Sequence, residues 1–216
     1  PFGLDGLVAE SFCQELAART GAVLLPTTYL PITALPHPQS ISIRTEVVRG
    51  AWLDLLDELG QAGFRVVCLV SGHYAQGHEV VLAEVAEQLS QRGGPLTLAG
   101  APLALLQDPG LLDHAGEWET SQLLHFRPEL VDLTVLPPGS LPPVGQVPVV
   151  GDDPRKASAE QGRAIVERAL QAWETWIERL LGGQALGPST ICIRTGWLII
   201  RPTSTGITRA PGRQRL

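Results

Sequence analysis

The 216-residue sequence predicts an α/β fold, a single-domain layered sandwich in which a largely parallel sheet is flanked by helices. Three observations carry that expectation. Apolar stretches of strand length alternate along the chain with stretches of helical period. Residues 65–70 read Arg-Val-Val-Cys-Leu-Val, and five consecutive apolar side chains are the pattern of a strand buried on both faces. The long segment 158–181 has helical spacing behind Ser158, with Gln161 three positions on as in a capping box.

The elements follow in order. Residues 7–18 place Leu7, Val8, Phe12, Leu16 and Ala17 at helical spacing and run into a Thr20-Gly21 stop. The apolar run 22–25, ended by Pro26, reads as a short buried strand. A loop carrying Pro26, Pro31, Pro36 and Pro38 comes next, and 40–43 alternates like an edge strand. Thr45 is a candidate N-cap for a helix over 47–59 that stops at Gly60. The strand 65–70 passes into Ser71-Gly72-His73, followed by a helix over 78–91, a strand over 96–99, a short helix over 117–126 and the long last helix. No internal repeat is visible.

Composition narrows the function classes. With 44% hydrophobic and 18% charged residues, disorder is excluded as the dominant state. No apolar run reaches the ~18 residues of an ordinary membrane span. A net charge of −6 argues against a general nucleic-acid binder, which needs clustered Lys and Arg. Cys13, Cys68 and Cys192 are scattered and odd in number, so no disulfide framework is expected. These features predict a cytoplasmic protein with neither a membrane nor a nucleic acid as partner. The charge is uneven, however. Residues 183–216 hold five arginines and no acid, while 1–182 carry 11 basic against 22 acidic side chains. The expected division is an α/β domain over 1–182 and a basic C-terminal extension over 183–216. Trp173 and Trp176, three apart on the last helix, fit either an oligomer surface or internal packing.

Chemistry concentrates in three places. Gly72 permits a tight turn that presents His73 at the carboxyl end of a strand, where open α/β sheets bind ligands. A lone His there is as readily a plain polar residue. The stretch Asp113-His114-Ala115-Gly116-Glu117-Trp118-Glu119-Thr120-Ser121 shifts the balance, because four titratable groups in seven positions suit metal binding and proton transfer. Glu117 there fits a helix start, where acids meet the dipole. Asp5 precedes the first helix, so it is a candidate N-cap or a carboxylate for divalent cations. His78 is off the i+4 spacing from His73 and reads as structural. No cysteine has a partner at zinc-ligand spacing.

Taken together, these residues resemble the creatininase (creatinine amidohydrolase) family over residues 1 to about 181. Pro1-Phe2-Gly3-Leu4-Asp5 is similar to the family's Leu-Pro-Leu-Gly-Thr-Asp stretch, and Pro38-Gln39-Ser40-Ile41-Ser42-Ile43 to its Pro-Gly-Thr-Leu-Ser-Leu segment. Ser71-Gly72-His73 stands where Asn-Gly-His is usual. The segment from His114 to Ser121 resembles the His-Ala-Gly-x-x-Glu-Thr-Ser signature, and Gly151-Asp152-Asp153-Pro154 the Gly-Asp-Pro segment before the last helix.

The resemblance implies a metal-dependent amidohydrolase that cleaves a cyclic or linear amide, in a small molecule or a peptide, with a pair of Zn²⁺ or Mn²⁺ ions per site. It further implies Asp5, His73 and Glu119 as metal ligands, His114 and Glu119 as catalytic groups, and a homo-oligomer, commonly a hexamer. Tyr74 and Trp118, beside these positions, are the substrate-binding candidates. Several positions depart from the pattern. The family's Glu-x-His ligands lie upstream of the Asp5 position and this chain begins after them, so the domain is expected to be N-terminally incomplete and to hold one metal or none. Ala34 and Ser71 stand in place of the family's His and Asn, and Ala75 and Gly110 in place of the Glu and the aromatic gate residue of creatinine-cleaving members, which points away from creatinine as substrate. The alternative is a catalytically impaired member that serves as a structural subunit or binding module.

Overall fold

The computed structural model describes residues 3–33, 37, 40–143 and 146–182. The extension 183–216 lies outside the described residues, as do Ala34, Pro36 and Pro38. At the centre, strand β1 (Val66–Val70), helix α3 (Gln76–Gln91) and strand β2 (Leu96–Gly100) form one βαβ unit. The strands pair in parallel, with Val66 opposite Leu96 and Val70 opposite Gly100. Helices α1 (Leu4–Thr20), α2 (Thr45–Gln61), α4 (Glu117–Phe126) and α5 (Ala159–Leu181) complete the layers.

The period of two along a strand sorts the core into two halves. Leu69 and Ala99 face one layer, where Val48 and Leu56 of α2 meet Val81, Leu82, Val85 and Leu89 of α3. Leu98 faces the other, with Phe12 and Leu16 of α1 and the stripe Ile165, Val166, Ala169, Leu170, Trp173, Ile177 of α5. The α/β sandwich expected from the sequence is therefore present. Ser158 caps α5 as its motif predicts, its Oγ accepting from the Gln161 amide at 3.1 Å. Helices α4 and α5 touch closely at Gly162, where a Cβ would stand 1.8 Å from the Ser121 carbonyl oxygen. Trp173 is fully buried; its Nε1 donates to the Pro102 carbonyl at 2.9 Å and its ring meets Phe12 edge-on. Trp176 is partly buried against the same core. Trp173 thus belongs to internal packing, and Trp176 lies at the edge of the same core.

Several expectations are corrected. The run 22–25 is not a strand: it is irregular, and Val23 is 68% exposed, because no neighbouring strand among the described residues offers it a ladder. Residues 40–43 form no ladder either; the Ile43 amide donates to the Pro31 carbonyl and the segment stays irregular. β1 is not buried on both faces, since only Leu69 of its five residues is fully covered. The N-cap of α2 is Arg44 rather than Thr45, and the helix passes through Gly60, which lies against the Pro95 ring. Among the described residues no helix is long and apolar enough to cross a membrane.

Candidate active site

Asp5 lies inside the first turn of α1, not before it. The N-cap is Gly3, in the left-handed region at φ 76°, and no side chain caps this end. The Asp5 carboxylate is therefore not spent on the helix. Its Oδ2 lies 2.9 Å from Nδ1 of His73, whose Nε2 lies 3.0 Å from the Ile32 carbonyl oxygen. A carboxylate and a carbonyl both accept, so this arrangement favours the imidazolium, with both nitrogens donating. Burial opposes that charge, but the bonds to Asp5 and Ile32 outweigh it and hold the His73 pKa above its ordinary value.

Gly72 makes the contact possible, though not by the turn expected of it. Its φ is not positive; instead a Cβ there would stand 1.8 Å from the Asp5 carbonyl oxygen. Only a glycine lets α1 come this close to the end of β1. Ser71, in place of the usual Asn, still serves the turn: its Oγ accepts from the His73 amide at 3.1 Å. Its own amide donates to the Gly100 carbonyl and prolongs the strand pairing.

The other half of the site comes from the start of α4. His114 is held by a two-bond bridge to Val150, at 2.8 and 2.9 Å. Ala115 then takes the left-handed φ of 48°, and its amide donates to Oε2 of Glu119 at 2.7 Å. Glu119 is 2% exposed, and its Oε1 has no hydrogen-bond partner among the described residues. Burial first, and the nearby Asp5 charge second, push its pKa well above the carboxylate range. Burial lowers the pKa of His114, whose Nδ1 lies 3.9 Å from Glu119 Oε2. Donor atoms of Asp5, His114 and Glu119 all lie within 4.8 Å of one another. Two carboxylates and one neutral imidazole, with a buried carboxylate oxygen lacking a partner, form a donor set that suits a divalent cation.

The structure thus brings Asp5, His73, His114 and Glu119 together, but in a different order of contact from that expected. His114 joins the carboxylates directly, whereas His73 reaches the group through Asp5. All four line a broad cleft of about 1610 Å³ that runs along β1 and the irregular segment after α1. Tyr74 and Trp118 are not among the residues lining that cleft. The Tyr74 hydroxyl is turned into the interior, and Trp118 packs on the core beside α5. His78, read as structural, is buried edge-on against His73, with ring centroids 5.6 Å apart; burial pulls its pKa down to about 4. Gly110 sits on an exposed turn, so no aromatic side chain stands over the site from that position.

The sequence profile of the family described as Creatininase, creatinine amidohydrolase, matches residues 1–177. The chain belongs to this family. It is 27% identical to a creatinine amidohydrolase of Pseudomonas putida, over 78% of each chain. Solved structures of similar shape include a variant creatininase of Zn–Zn type, 23% identical with a TM-score of 0.64 over 82% of this chain and 83% of that one. A manganese creatininase superposes with a TM-score of 0.65 at 23% identity and the same coverage. The creatininase fold is therefore that of this chain.

Proposed function

We propose that this protein hydrolyses an amide bond in a small molecule or peptide, in the cytoplasm, with a divalent cation held by Asp5, His114 and Glu119. The convergence of those three donors within 4.8 Å carries the reading. Zn²⁺ or Mn²⁺, the metals of the similar structures, suits the mixed nitrogen and oxygen set. When bound, such an ion acidifies a water and polarises the amide carbonyl. The protein's own groups divide the remaining work. His73 fixes the Asp5 carboxylate in one orientation through its Nδ1. His114, kept neutral by burial, has one unprotonated ring nitrogen, which it would give to the ion, so the proton bound for the leaving nitrogen falls to Glu119. Glu119 is screened from solvent and oriented by the Ala115 amide.

Creatinine is not the substrate we assign, because Ala75 and Gly110 lack the carboxylate and the aromatic ring of creatinine-cleaving members. Three direct donors support one ion per chain rather than two, with His73 already engaged on both nitrogens. That engagement also favours the second reading, a family member that binds without turning over. We assign a homo-oligomer, with the hexamer as the expected form, checked by light scattering. The functional test is metal analysis of the purified chain, followed by hydrolysis of a panel of cyclic and linear amides. About one Zn²⁺ or Mn²⁺ per chain, lost in Glu119→Gln together with activity, is expected. Metal without hydrolysis of any amide supports the binding module. A chain that takes up no metal at micromolar Zn²⁺ overturns the assignment.

A further inference from the structure

We infer that Asp113 is a positioning residue for this site: its carboxylate fixes the turn that carries His114 and Glu119 to Asp5. The inference rests on the metal-site reading above. Oδ2 of Asp113 accepts from the Trp118 amide at 2.6 Å and Oδ1 from the Glu119 amide at 3.0 Å. These are amides in the first turn of α4, which no helical carbonyl can satisfy. The side chain is 7% exposed and does not line the cleft, so it acts through its neighbours.

The fit around it is close. A Cβ on Gly116 would stand 2.5 Å from Asp113 Oδ2, and one on Gly151 would stand 2.7 Å from the Asp113 Cβ. Two glycines from separate sequence motifs therefore make room for one carboxylate. From the other side, the backbone of 150–152 holds the same turn: Val150 bridges His114, and the Asp152 carbonyl accepts from the Glu117 amide. Between these two restraints sits Ala115, at a left-handed φ that a residue with a side chain adopts only when held. Its amide is the one that orients Glu119. Without Asp113 the turn can relax, and the Ala115 amide leaves the Glu119 carboxylate.

The test compares the wild-type chain with Asp113→Ala, Asp113→Asn and Gly116→Ala, using Zn²⁺ titration calorimetry and the absorption spectrum of added Co²⁺. Loss of a residue that orients metal ligands costs roughly 10- to 100-fold in affinity. That drop is expected for Asp113→Ala, with an altered Co²⁺ spectrum. A smaller drop is expected for Asp113→Asn, which keeps one acceptor oxygen. Gly116→Ala leaves the carboxylate in the chain but crowds it off the amides, and should reproduce the loss. A purely structural role would lower the melting temperature and leave Zn²⁺ affinity and the Co²⁺ spectrum unchanged in Gly116→Ala and Asp113→Asn; that result overturns the inference. If the wild-type chain itself binds no Zn²⁺, the functional reading falls first and the inference with it.

Discussion

The two strands that pair among the described residues are equal in length and match residue for residue, yet they live in different surroundings. β2 contains a threonine and a glycine, and its Thr97, Leu98 and Ala99 are 3%, 2% and 1% exposed. β1 is apolar throughout, and only Leu69 is comparably covered. Burial here is decided by neighbours, not by the strand's own hydrophobicity. β2 has β1 at its side, α3 over one face and Leu98 turned into the cluster of α1 and α5 on the other, and it leads into Pro102, whose carbonyl receives the Trp173 indole. β1 has β2 on one side and the cleft on the other, and leads into Ser71-Gly72-His73. The covered strand holds the fold together, and the open strand presents the chemistry.

The largest test of that contrast is Gly72→Ala. The added methyl has to displace backbone of α1, so a loss of about 3 kcal/mol is expected at the upper end of overpacking. Zn²⁺ binding should be lost with it, because Asp5 moves away from His114 and Glu119. Urea unfolding and metal titration read the two effects; a variant as stable as wild type would remove the close approach from the account. Comparable in stability but without loss of the site, Leu98→Ala on β2 should cost about 3 kcal/mol, and Val67→Ala on β1 about 1 kcal/mol. Equal costs in urea melts would break the comparison between the strands.

A third prediction concerns Glu79 on α3, the helix that joins the strands. Burial pushes its carboxyl up to about 7. A folded-state pKa above the unfolded 4.5 means that the folded chain holds the proton more tightly. Stability should therefore fall as pH rises through that window and stay lowered above it. Glu79→Gln should be neutral near pH 4 and stabilising by about 1–2 kcal/mol at pH 8, after allowing for partial solvation. Thermal melts at the two pH values check the sign. The smallest effect is Ser71→Ala, which removes one turn bond at the exit of β1 and should cost about 0.5–1 kcal/mol.

How far the sequence could be read depended on whether the deciding interaction was local. The last helix was legible because its stripe and its Ser158–Gln161 cap lie within the same segment. The strand at 66–70 was legible from its apolar run. Residues 22–25 show the same kind of run and form no strand, because a ladder needs a partner that the run itself cannot specify. At the site, Asp5, His73, His114 and Glu119 could be named from the family resemblance, and the structure gathers them. The order of contact could not be read, since His73 meets Asp5 across 68 positions of sequence. Asp113 stood in the titratable cluster without a role of its own. The available signal was an acid shortly before a helix start with a glycine between, the spacing of a carboxylate reaching back to helix amides. Gly72 was noticed for its torsional freedom, whereas its missing side chain turned out to matter.

The way α1 leans on Gly72 has a kinetic consequence. The β1–α3–β2 unit is built from neighbouring segments, and its contacts can close over short loops. The site needs more: the first turn of α1 must return to the end of β1, and α4 must then dock beside it, held by Val150 from further along the chain. Long closures of this kind are slow to form and early to be lost. Near the denaturation midpoint, amides of β2 should still resist hydrogen exchange when those of Asp5 and His73 have opened. The molecule would then pass through a state with its core intact and its chemistry dismantled, so that activity decays before the fold does.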